Sequence, residues 1–176
     1  MRKTTRRGFL AGVSGAALLG AGAWAWQSNA DAAPADGETF KVTKTPAEWK
    51  AQLTKQQYYV LRDHGTERSY SSPLNDEHRA GIFHCAGCDL ALYSSKAKFD
   101  SGTGWPSFYE PLPNAIRTSE DRSFFMTRTE VHCRRCGGHL GHVFKDGPPP
   151  TGLRYCMNGV AMTFKPGETL EEAKAS

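Results

Sequence analysis

The sequence lacks an excess of charge of either sign once its first thirty residues are set aside. Those residues contain no acidic side chain but four basic ones, Arg2, Lys3, Arg6 and Arg7. The rest of the chain holds 18 of the 22 lysines and arginines, against all 18 aspartates and glutamates. Because no basic stripe is present to attract a polyanion, we expect no nucleic-acid partner.

Internal repeats and low-complexity tracts are also absent, apart from the short run Pro148-Pro149-Pro150. Hydrophobic residues make up 39% of the sequence, which argues against a disordered chain, and the composition excludes collagen-like and coiled-coil proteins. A chain of 176 residues with this composition is expected to form one globular domain.

The N-terminal segment has the features of an export signal. Residues 5–10, Thr-Arg-Arg-Gly-Phe-Leu, resemble the twin-arginine motif, without the lysine that often follows the leucine. An uncharged stretch covers residues 8–30, and small-residue cleavage patterns occur between residues 28 and 35. The stretch is long enough to span a membrane, so an uncleaved anchor is the alternative, but its five glycines favour a cleaved signal. We therefore predict a signal peptide at 1–35 and a domain at 36–176 exported to the periplasm, with membrane contact only through the signal segment if it stays uncleaved.

Two helix signals follow. Thr45-Pro46-Ala47-Glu48 is a capping box with proline at the first helical position, and Trp49 and Leu53 give this helix an apolar face. Thr54 is a second candidate cap, for a short helix that stops at His64-Gly65.

From residue 81 onward the helical periodicity disappears. Short β-prone runs at 81–84, 123–127, 140–144 and 160–164 are separated by glycine, proline and asparagine. The sequence therefore predicts an α+β, mainly β domain in which two N-terminal helices pack against an antiparallel β core.

Four of the five cysteines form two pairs with metal-ligand spacing, Cys85-Ala-Gly-Cys88 and Cys133-Arg-Arg-Cys136. Each Cys-x-x-Cys turn can present two sulfurs to one ion, so the two turns predict one closed, structural zinc site with four cysteine ligands. Redox dithiols and structural disulfides are the alternatives. The βαβ context of a thioredoxin-like motif is absent, and the twin-arginine route exports folded proteins, which favours zinc.

The fifth cysteine, Cys156, has neighbours that suit a nucleophile rather than a buried hydrophobe. On a strand, Arg154 would lie on the same side as the Cys156 sulfur, and its charge would lower the pKa of the thiol. His139 and His142, in His-Leu-Gly-His, could supply or accept a proton.

Together these motifs resemble the B-type methionine sulfoxide reductases, which are specific for the R epimer at sulfur. The resemblance covers about Glu48 to Phe164, through both cysteine pairs and stretches at 101–108, 139–144, 146–148, 151–152 and 154–158. It implies two antiparallel β-sheets with short flanking helices and a zinc ion remote from the active site. It also implies an enzyme that reduces methionine sulfoxide, mainly in oxidised peptides and proteins, at the expense of a thiol.

The resemblance assigns roles to matching positions. Cys156 would be the nucleophile, left as a sulfenic acid after methionine departs, and Cys85, Cys88, Cys133 and Cys136 would bind zinc. Trp105 would pack its indole against the S-methyl group of the substrate. The polar side of the pocket would be formed by His139, His142, Arg154 and Asn158, with either histidine as the acid.

The sequence departs from many members at Thr103, where they carry a resolving cysteine. With four cysteines on zinc, no thiol of the chain remains for Cys156, so an external reductant, thioredoxin-like or a small thiol, is expected to regenerate it. Two other functions would also use cysteines. A zinc-ribbon binding module leaves the motif around Cys156 unexplained, and a thiol-disulfide oxidoreductase normally keeps a redox pair.

Overall fold

The computed structural model describes residues 39–123 and 126–174. The predicted signal peptide at 1–35 lies outside these residues. Within the part of the chain that is described, no helix is long and apolar enough to cross a membrane.

Both predicted helices are confirmed, and both begin at the predicted caps. Helix α1 covers Pro46–Gln52, and the Thr45 hydroxyl accepts a hydrogen bond from the Glu48 N–H at 3.3 Å. Helix α2 covers Lys55–Leu61 and begins with a capping box between Thr54 and Gln57. The helices bury Trp49, Val60 and Leu61 against the β core.

A third helix, α3 at Leu170–Lys174, was not predicted. The Thr169 N–H donates to the Glu172 carboxylate at 2.8 Å, and the Glu172 N–H donates back to the Thr169 hydroxyl at 3.4 Å. The motif Thr-x-x-Glu at 169–172 is the sequence signal that could have found this helix.

Nine strands form two antiparallel sheets among the described residues, as the resemblance implied. A three-stranded sheet has the order β2-β1-β9, and a six-stranded sheet has the order β3-β4-β8-β7-β6-β5. The strands are β1 Gly81–Cys85, β2 Ala91–Ser94, β3 Lys98–Phe99, β4 Ser107–Phe108, β5 Ile116–Asp121, β6 Arg128–Cys133, β7 His139–Phe144, β8 Arg154–Met157 and β9 Met162–Pro166.

Two of the four predicted strand runs need correction. The run 123–127 is not a strand where it is described: the Ser123 N–H donates to the Asp121 carboxylate, and the Met126 N–H donates to the Ser123 carbonyl, which turns the chain between β5 and β6. Phe124 and Phe125 lie outside the described residues. The run 160–164 becomes a strand only at Met162, because residues 159–161 form a 3-10 turn.

One face of the six-stranded sheet forms the core, and the other is polar. Phe108, Val131, Leu140 and Met157 are fully buried on the core side, where they join the residues under the helices. Side chains alternate along a strand, so the residues between them face the opposite way. That opposite face carries the candidate site.

Candidate active site

A row of polar side chains crosses five neighbouring strands of the six-stranded sheet. Each member is directly opposite the next in the antiparallel register, so all of them project from the same face. In order across β4, β8, β7, β6 and β5, the row consists of Ser107, Cys156, His142, Glu130 and Ser119. The register thus places a cysteine between a hydroxyl and an imidazole.

Cys156 is half-buried and has three polar neighbours that can stabilise a thiolate. The Thr103 hydroxyl lies 4.0 Å from the Cys156 sulfur, Ser107 is directly opposite Cys156 on β4, and the Arg154 guanidinium favours the charged form of the thiol. Burial nevertheless raises the pKa of the Cys156 thiol above its ordinary value, although the charge of Arg154 and the two hydroxyls oppose the shift. The expectation of a lowered pKa is therefore wrong in its net direction, because the sequence did not show how deeply the sulfur is buried.

Three hydroxyls are linked beside Cys156. The Ser101 hydroxyl lies 2.8 Å from that of Thr103 and 2.7 Å from that of Ser107. This chain of hydroxyls keeps the Thr103 side chain directed at the sulfur. A hydroxyl at this position can donate a hydrogen bond to a thiolate but cannot form a disulfide.

Arg154 is fixed on the same face by an ion pair. Its Nε and Nη2 donate to the two carboxylate oxygens of Asp146 at 2.9 and 2.8 Å, and its guanidinium stacks on Phe144, 4.5 Å from the ring centroid. This bidentate pair holds the charge beside Cys156. Asp146 opens the motif at 146–148, and its role is visible only in the structure.

His142 is oriented by a carboxylate from the edge strand. Its Nε2 lies 2.7 Å from the Asp121 carboxylate, which also accepts a hydrogen bond from Arg128 at 2.6 Å. Burial lowers the pKa of His142, and the Asp121 carboxylate opposes this shift. The arrangement keeps a titratable imidazole directly opposite the cysteine.

A β-bulge brings His139 onto the same face. Residues three apart on a regular strand project from opposite faces, but one extra residue, Leu140, lies between the two registers of β7 with β6. As a result the rings of His139 and His142 are 5.3 Å apart, centroid to centroid. Gly141 belongs to this bulge, and a Cβ there would lie 2.1 Å from the Cys156 carbonyl oxygen, so only glycine fits.

His139 also has a carboxylate partner. Its Nδ1 lies 2.6 Å from a Glu130 carboxylate oxygen, which His64 contacts at 3.0 Å, while Ser119 donates to the other oxygen at 2.6 Å. Among the described residues, no hydrogen-bond partner reaches the buried Nε2 of His139. Neither Glu130 nor His64 was predicted, because an isolated charge in the sequence does not show which strand it opposes.

Trp105 and Asn158 both hydrogen-bond to the backbone of Glu67, a residue outside the sequence motifs. The Trp105 Nε1–H donates to the Glu67 carbonyl at 3.2 Å, and the Glu67 N–H donates to the Asn158 side-chain oxygen at 2.9 Å. Asn158 is buried and also donates to the Leu140 carbonyl at 3.1 Å. Trp105 is half-buried and follows a loop in which Gly102 and Gly104, on either side of Thr103, have positive φ.

A cleft of about 630 Å³ lies beside this group, bordered by α2 and the turn after β8. Glu67, Val60, Leu74 and Val160 are among its lining residues, but Cys156 is not. The candidate chemistry therefore lies on the polar sheet face rather than in this cleft.

The four paired cysteines come together where the two sheets meet. All four sulfurs lie within 4.8 Å of one another, with Cys85 and Cys136 at 3.7 Å and Cys88 and Cys133 at 3.5 Å. Zn–S bonds of about 2.3 Å in a tetrahedron require sulfurs about 3.8 Å apart, so these residues fit zinc. Cys156 is not part of this cluster.

The two cysteine turns share one backbone geometry. The Asp89 N–H donates to the Cys85 carbonyl, and the Gly137 N–H donates to the Cys133 carbonyl, both at 2.8 Å. Asp89 and Gly137 both have positive φ, at 57° and 67°. Each turn therefore directs its pair of sulfurs to a common point, as the spacing predicted.

Comparisons with known proteins agree with these motifs. The SelR domain family matches residues 53–166. The chain is 58% identical over 127 residues to "Peptide methionine sulfoxide reductase MsrB" of Pseudomonas entomophila (strain L48), a match that covers 72% of this chain and 97% of the relative. Proteins of the same name from Agrobacterium fabrum and Methanosarcina barkeri are each 54% identical, over 127 and 134 residues. These matches cover 72% and 76% of this chain, and 94% and 92% of the relatives.

The matched region contains both sheets, the four-cysteine cluster and the whole polar row around Cys156. The chain therefore belongs to the MsrB family of peptide methionine sulfoxide reductases, which are oxidoreductases.

Proposed function

We propose that this protein reduces the R epimer of methionine sulfoxide, mainly in oxidised peptides and proteins, with Cys156 as the nucleophile. The observation that carries the proposal is the position of Cys156 in the polar row, opposite both Ser107 and His142 and outside the four-cysteine cluster. The sulfur of a sulfoxide is electrophilic, so a thiolate can attack it, but its oxygen is a poor leaving group unless an acid protonates it. Reduction therefore needs a thiolate and an acid together. The row supplies both.

In the proposed step the Cys156 thiolate attacks the sulfoxide sulfur while an imidazolium protonates the oxygen. The oxygen then passes to the Cys156 sulfur while the S–O bond of the substrate and the transient bond between the two sulfurs break, and methionine leaves. The product on the enzyme is a sulfenic acid, in which the cysteine has been oxidised by two electrons and the substrate reduced by two. Arg154 and Thr103 stabilise the thiolate against the cost of its burial.

We assign the acid role to His142 rather than to His139. His142 is directly opposite Cys156 in the register, whereas His139 reaches the site as the neighbour of His142. The Asp121 carboxylate holds Nε2 of His142, which leaves Nδ1 to meet the substrate oxygen. His139 and Asn158 then form the polar wall beside it, and Trp105 receives the S-methyl group.

An external thiol is proposed to regenerate Cys156. The Thr103 hydroxyl lies 4.0 Å from the sulfur and cannot form a disulfide. A thioredoxin-like protein or a small thiol would attack the sulfenic acid, release water and leave a mixed disulfide, which a second thiol then resolves. An intramolecular disulfide of Cys156, trapped during turnover and identified by mass spectrometry, would contradict this step.

We further propose that Cys85, Cys88, Cys133 and Cys136 hold one structural zinc ion. Four thiolates leave no open coordination position, so the ion would stabilise the fold and take no part in the reaction. It would tie β1 of the small sheet to β6 of the large sheet.

The N-terminal twin-arginine motif supports the proposal that the reaction takes place in the periplasm. A twin-arginine signal at 1–35 would export the folded, zinc-loaded domain 36–176 to the periplasm. Mass spectrometry of the protein recovered from the periplasm would show an N-terminus near residue 35, whereas a full-length membrane-bound chain would favour the anchor.

The reaction is tested with a peptide that contains both epimers of methionine sulfoxide, incubated with the zinc-loaded protein and dithiothreitol. Chiral separation should show loss of the R epimer only, and Cys156→Ser should abolish that loss. The S epimer in the same tube is the matched control. No loss of either epimer with a folded protein would refute the proposal.

A further inference from the structure

Glu67 connects the two side chains that the family motif places around the substrate. Its backbone carbonyl accepts a hydrogen bond from Trp105 Nε1, and its backbone N–H donates to Asn158 Oδ1. These partners lie 38 and 91 residues away in the sequence. A displacement of Glu67 would therefore move the indole and the amide together.

The carboxylate of Glu67 anchors this residue to the turn that follows the Cys156 strand. One carboxylate oxygen accepts the Gly159 N–H at 2.6 Å, and the other accepts the Val160 N–H at 3.0 Å. These are the first two residues of the 3-10 turn Gly159–Ala161, and the preceding Asn158 makes no side-chain cap. Glu67 thus satisfies two N–H groups that a local cap would otherwise serve.

The indole needs an external constraint because its loop is intrinsically permissive. Gly102 and Gly104 have φ of 69° and 85°, and Trp105 follows directly. The hydrogen bond from its Nε1 to Glu67 fixes the rotation of the ring, and with it the direction of the apolar face. Burial raises the pKa of Glu67, and the two backbone N–H groups oppose the shift by stabilising the charged carboxylate.

We propose that Glu67 is a positioning residue: its carboxylate hydrogen-bonds to the turn after Cys156, and its backbone holds Trp105 and Asn158 so that they face the reacting sulfur. It touches neither the substrate nor Cys156 and acts through these two side chains. The kinetic test of this proposal rests on the proposed sulfoxide reduction. The contacts of Glu67 with Trp105, Asn158 and the turn can be tested without substrate.

The kinetic test compares Glu67→Gln with Glu171→Gln, an exposed glutamate of α3, in the full chain. Glutamine keeps one acceptor but presents an N–H₂ group to a backbone N–H, so one contact is lost and the other weakened. We expect kcat/KM for the R sulfoxide peptide to fall by about tenfold or more in Glu67→Gln and to stay unchanged in the control.

A double-mutant cycle separates positioning from general destabilisation. If Glu67 acts through the indole, the loss caused by Glu67→Gln should shrink clearly in a Trp105→Phe background, because phenylalanine has no N–H to hold. A fully additive loss would overturn the role assigned to the indole.

NMR provides a readout that does not depend on activity. In ¹⁵N-labelled protein, Glu67→Gln should shift the indole N–H resonance of Trp105, assigned by its disappearance in Trp105→Phe, and speed amide exchange at Gly159 and Val160. Unchanged resonances and exchange would overturn the proposal. If wild-type protein reduces neither epimer, the proposed function fails while these spectra still decide the role of Glu67. Should Glu67→Gln fail to fold, Glu67→Asp, whose carboxylate is one methylene short, must show the same spectral changes.

Discussion

Replacing Glu130 by glutamine tests how the polar sheet face is stabilised. The carboxylate is buried and accepts hydrogen bonds from His139 at 2.6 Å, His64 at 3.0 Å and Ser119 at 2.6 Å. Burial alone would raise the pKa of Glu130, but these hydrogen bonds hold it well below its ordinary value. Glutamine can keep the geometry, with its oxygen toward the histidines and its N–H₂ toward the Ser119 hydroxyl, while it removes the charge.

The expected loss of stability follows from the bonds that lose their charge. A hydrogen bond to a charged group contributes roughly 1 kcal/mol more than a neutral one. Three such bonds are affected, from His139, Ser119 and His64, but His64 is half-exposed and water screens its share. We therefore expect the free energy of unfolding to fall by about 2 kcal/mol and Tm by roughly 6 °C.

The pH dependence distinguishes this loss from a packing defect. A carboxylate with a depressed pKa adds stability that is present above its ordinary value of 4.5 and lost as the pH falls. The hydrogen bond to Glu130 raises the pKa of His64, and this contribution is present below 6.5 and lost as the pH rises through the folded value. The difference between wild type and Glu130→Gln should thus be largest between pH 4.5 and 6.5.

Urea unfolding at about pH 5.5 and about pH 8 measures both effects, with exposed Glu171→Gln as the control. The control should match wild type at both values. An equal loss at the two pH values, or a larger loss at the higher one, would refute the account of the Glu130 cluster.

Three substitutions and the removal of metal test the geometry around Cys156 and the four-cysteine cluster. Gly141→Ala should destabilise the protein by more than about 3 kcal/mol in denaturant unfolding, because its Cβ would lie 2.1 Å from the Cys156 carbonyl oxygen. Gly102→Ala, its matched control, has open space and only its positive φ to oppose it, so it should cost about 1 kcal/mol. Arg154→Met removes a positive charge that stabilises the Cys156 thiolate, so the pKa of Cys156 should rise further. Its alkylation by iodoacetamide at neutral pH should then be roughly tenfold slower. An unchanged rate would show that Arg154 does not stabilise the thiolate. Thr103→Cys should form a disulfide with Cys156 after one turnover, visible by non-reducing mass spectrometry, since the Thr103 hydroxyl already lies 4.0 Å from the sulfur. Removal of metal by a strong chelator should release one zinc per chain and sharply lower Tm, and a metal-free protein of unchanged Tm would contradict the zinc proposal.

The features that could be predicted from the sequence are those set by neighbouring residues. The capping residues Thr45 and Thr54 mark the starts of α1 and α2, because a cap acts within one helical turn. The two Cys-x-x-Cys turns are equally local, so the prediction that their four sulfurs share one metal site needs no knowledge of the fold. The motif around Cys156 was recognised through its resemblance to known reductases.

The features that escaped prediction depend on register. His139 and His142 share a face only because of a bulge at Leu140, and Gly141, a glycine inside a strand, indicates a bulge without specifying its register. Glu130 and Glu67 carry no local sequence signal, because the partners of their hydrogen bonds are distant in sequence and become neighbours only in the folded protein. Arg154 lowers the pKa of Cys156 as expected, but burial by residues distant in sequence outweighs this charge, and burial is not visible in the local sequence.

A single-turnover experiment tests directly whether Cys156 receives the oxygen of the sulfoxide. Wild-type protein is mixed with a peptide whose R-methionine sulfoxide carries ¹⁸O, in the absence of any thiol reductant, and the protein is digested for mass spectrometry at once. If Cys156 is the acceptor, one equivalent of methionine forms and one labelled oxygen is found on the peptide that contains Cys156, with the four paired cysteines unmodified. Methionine formation without label on Cys156, or with label on another residue, would contradict this prediction.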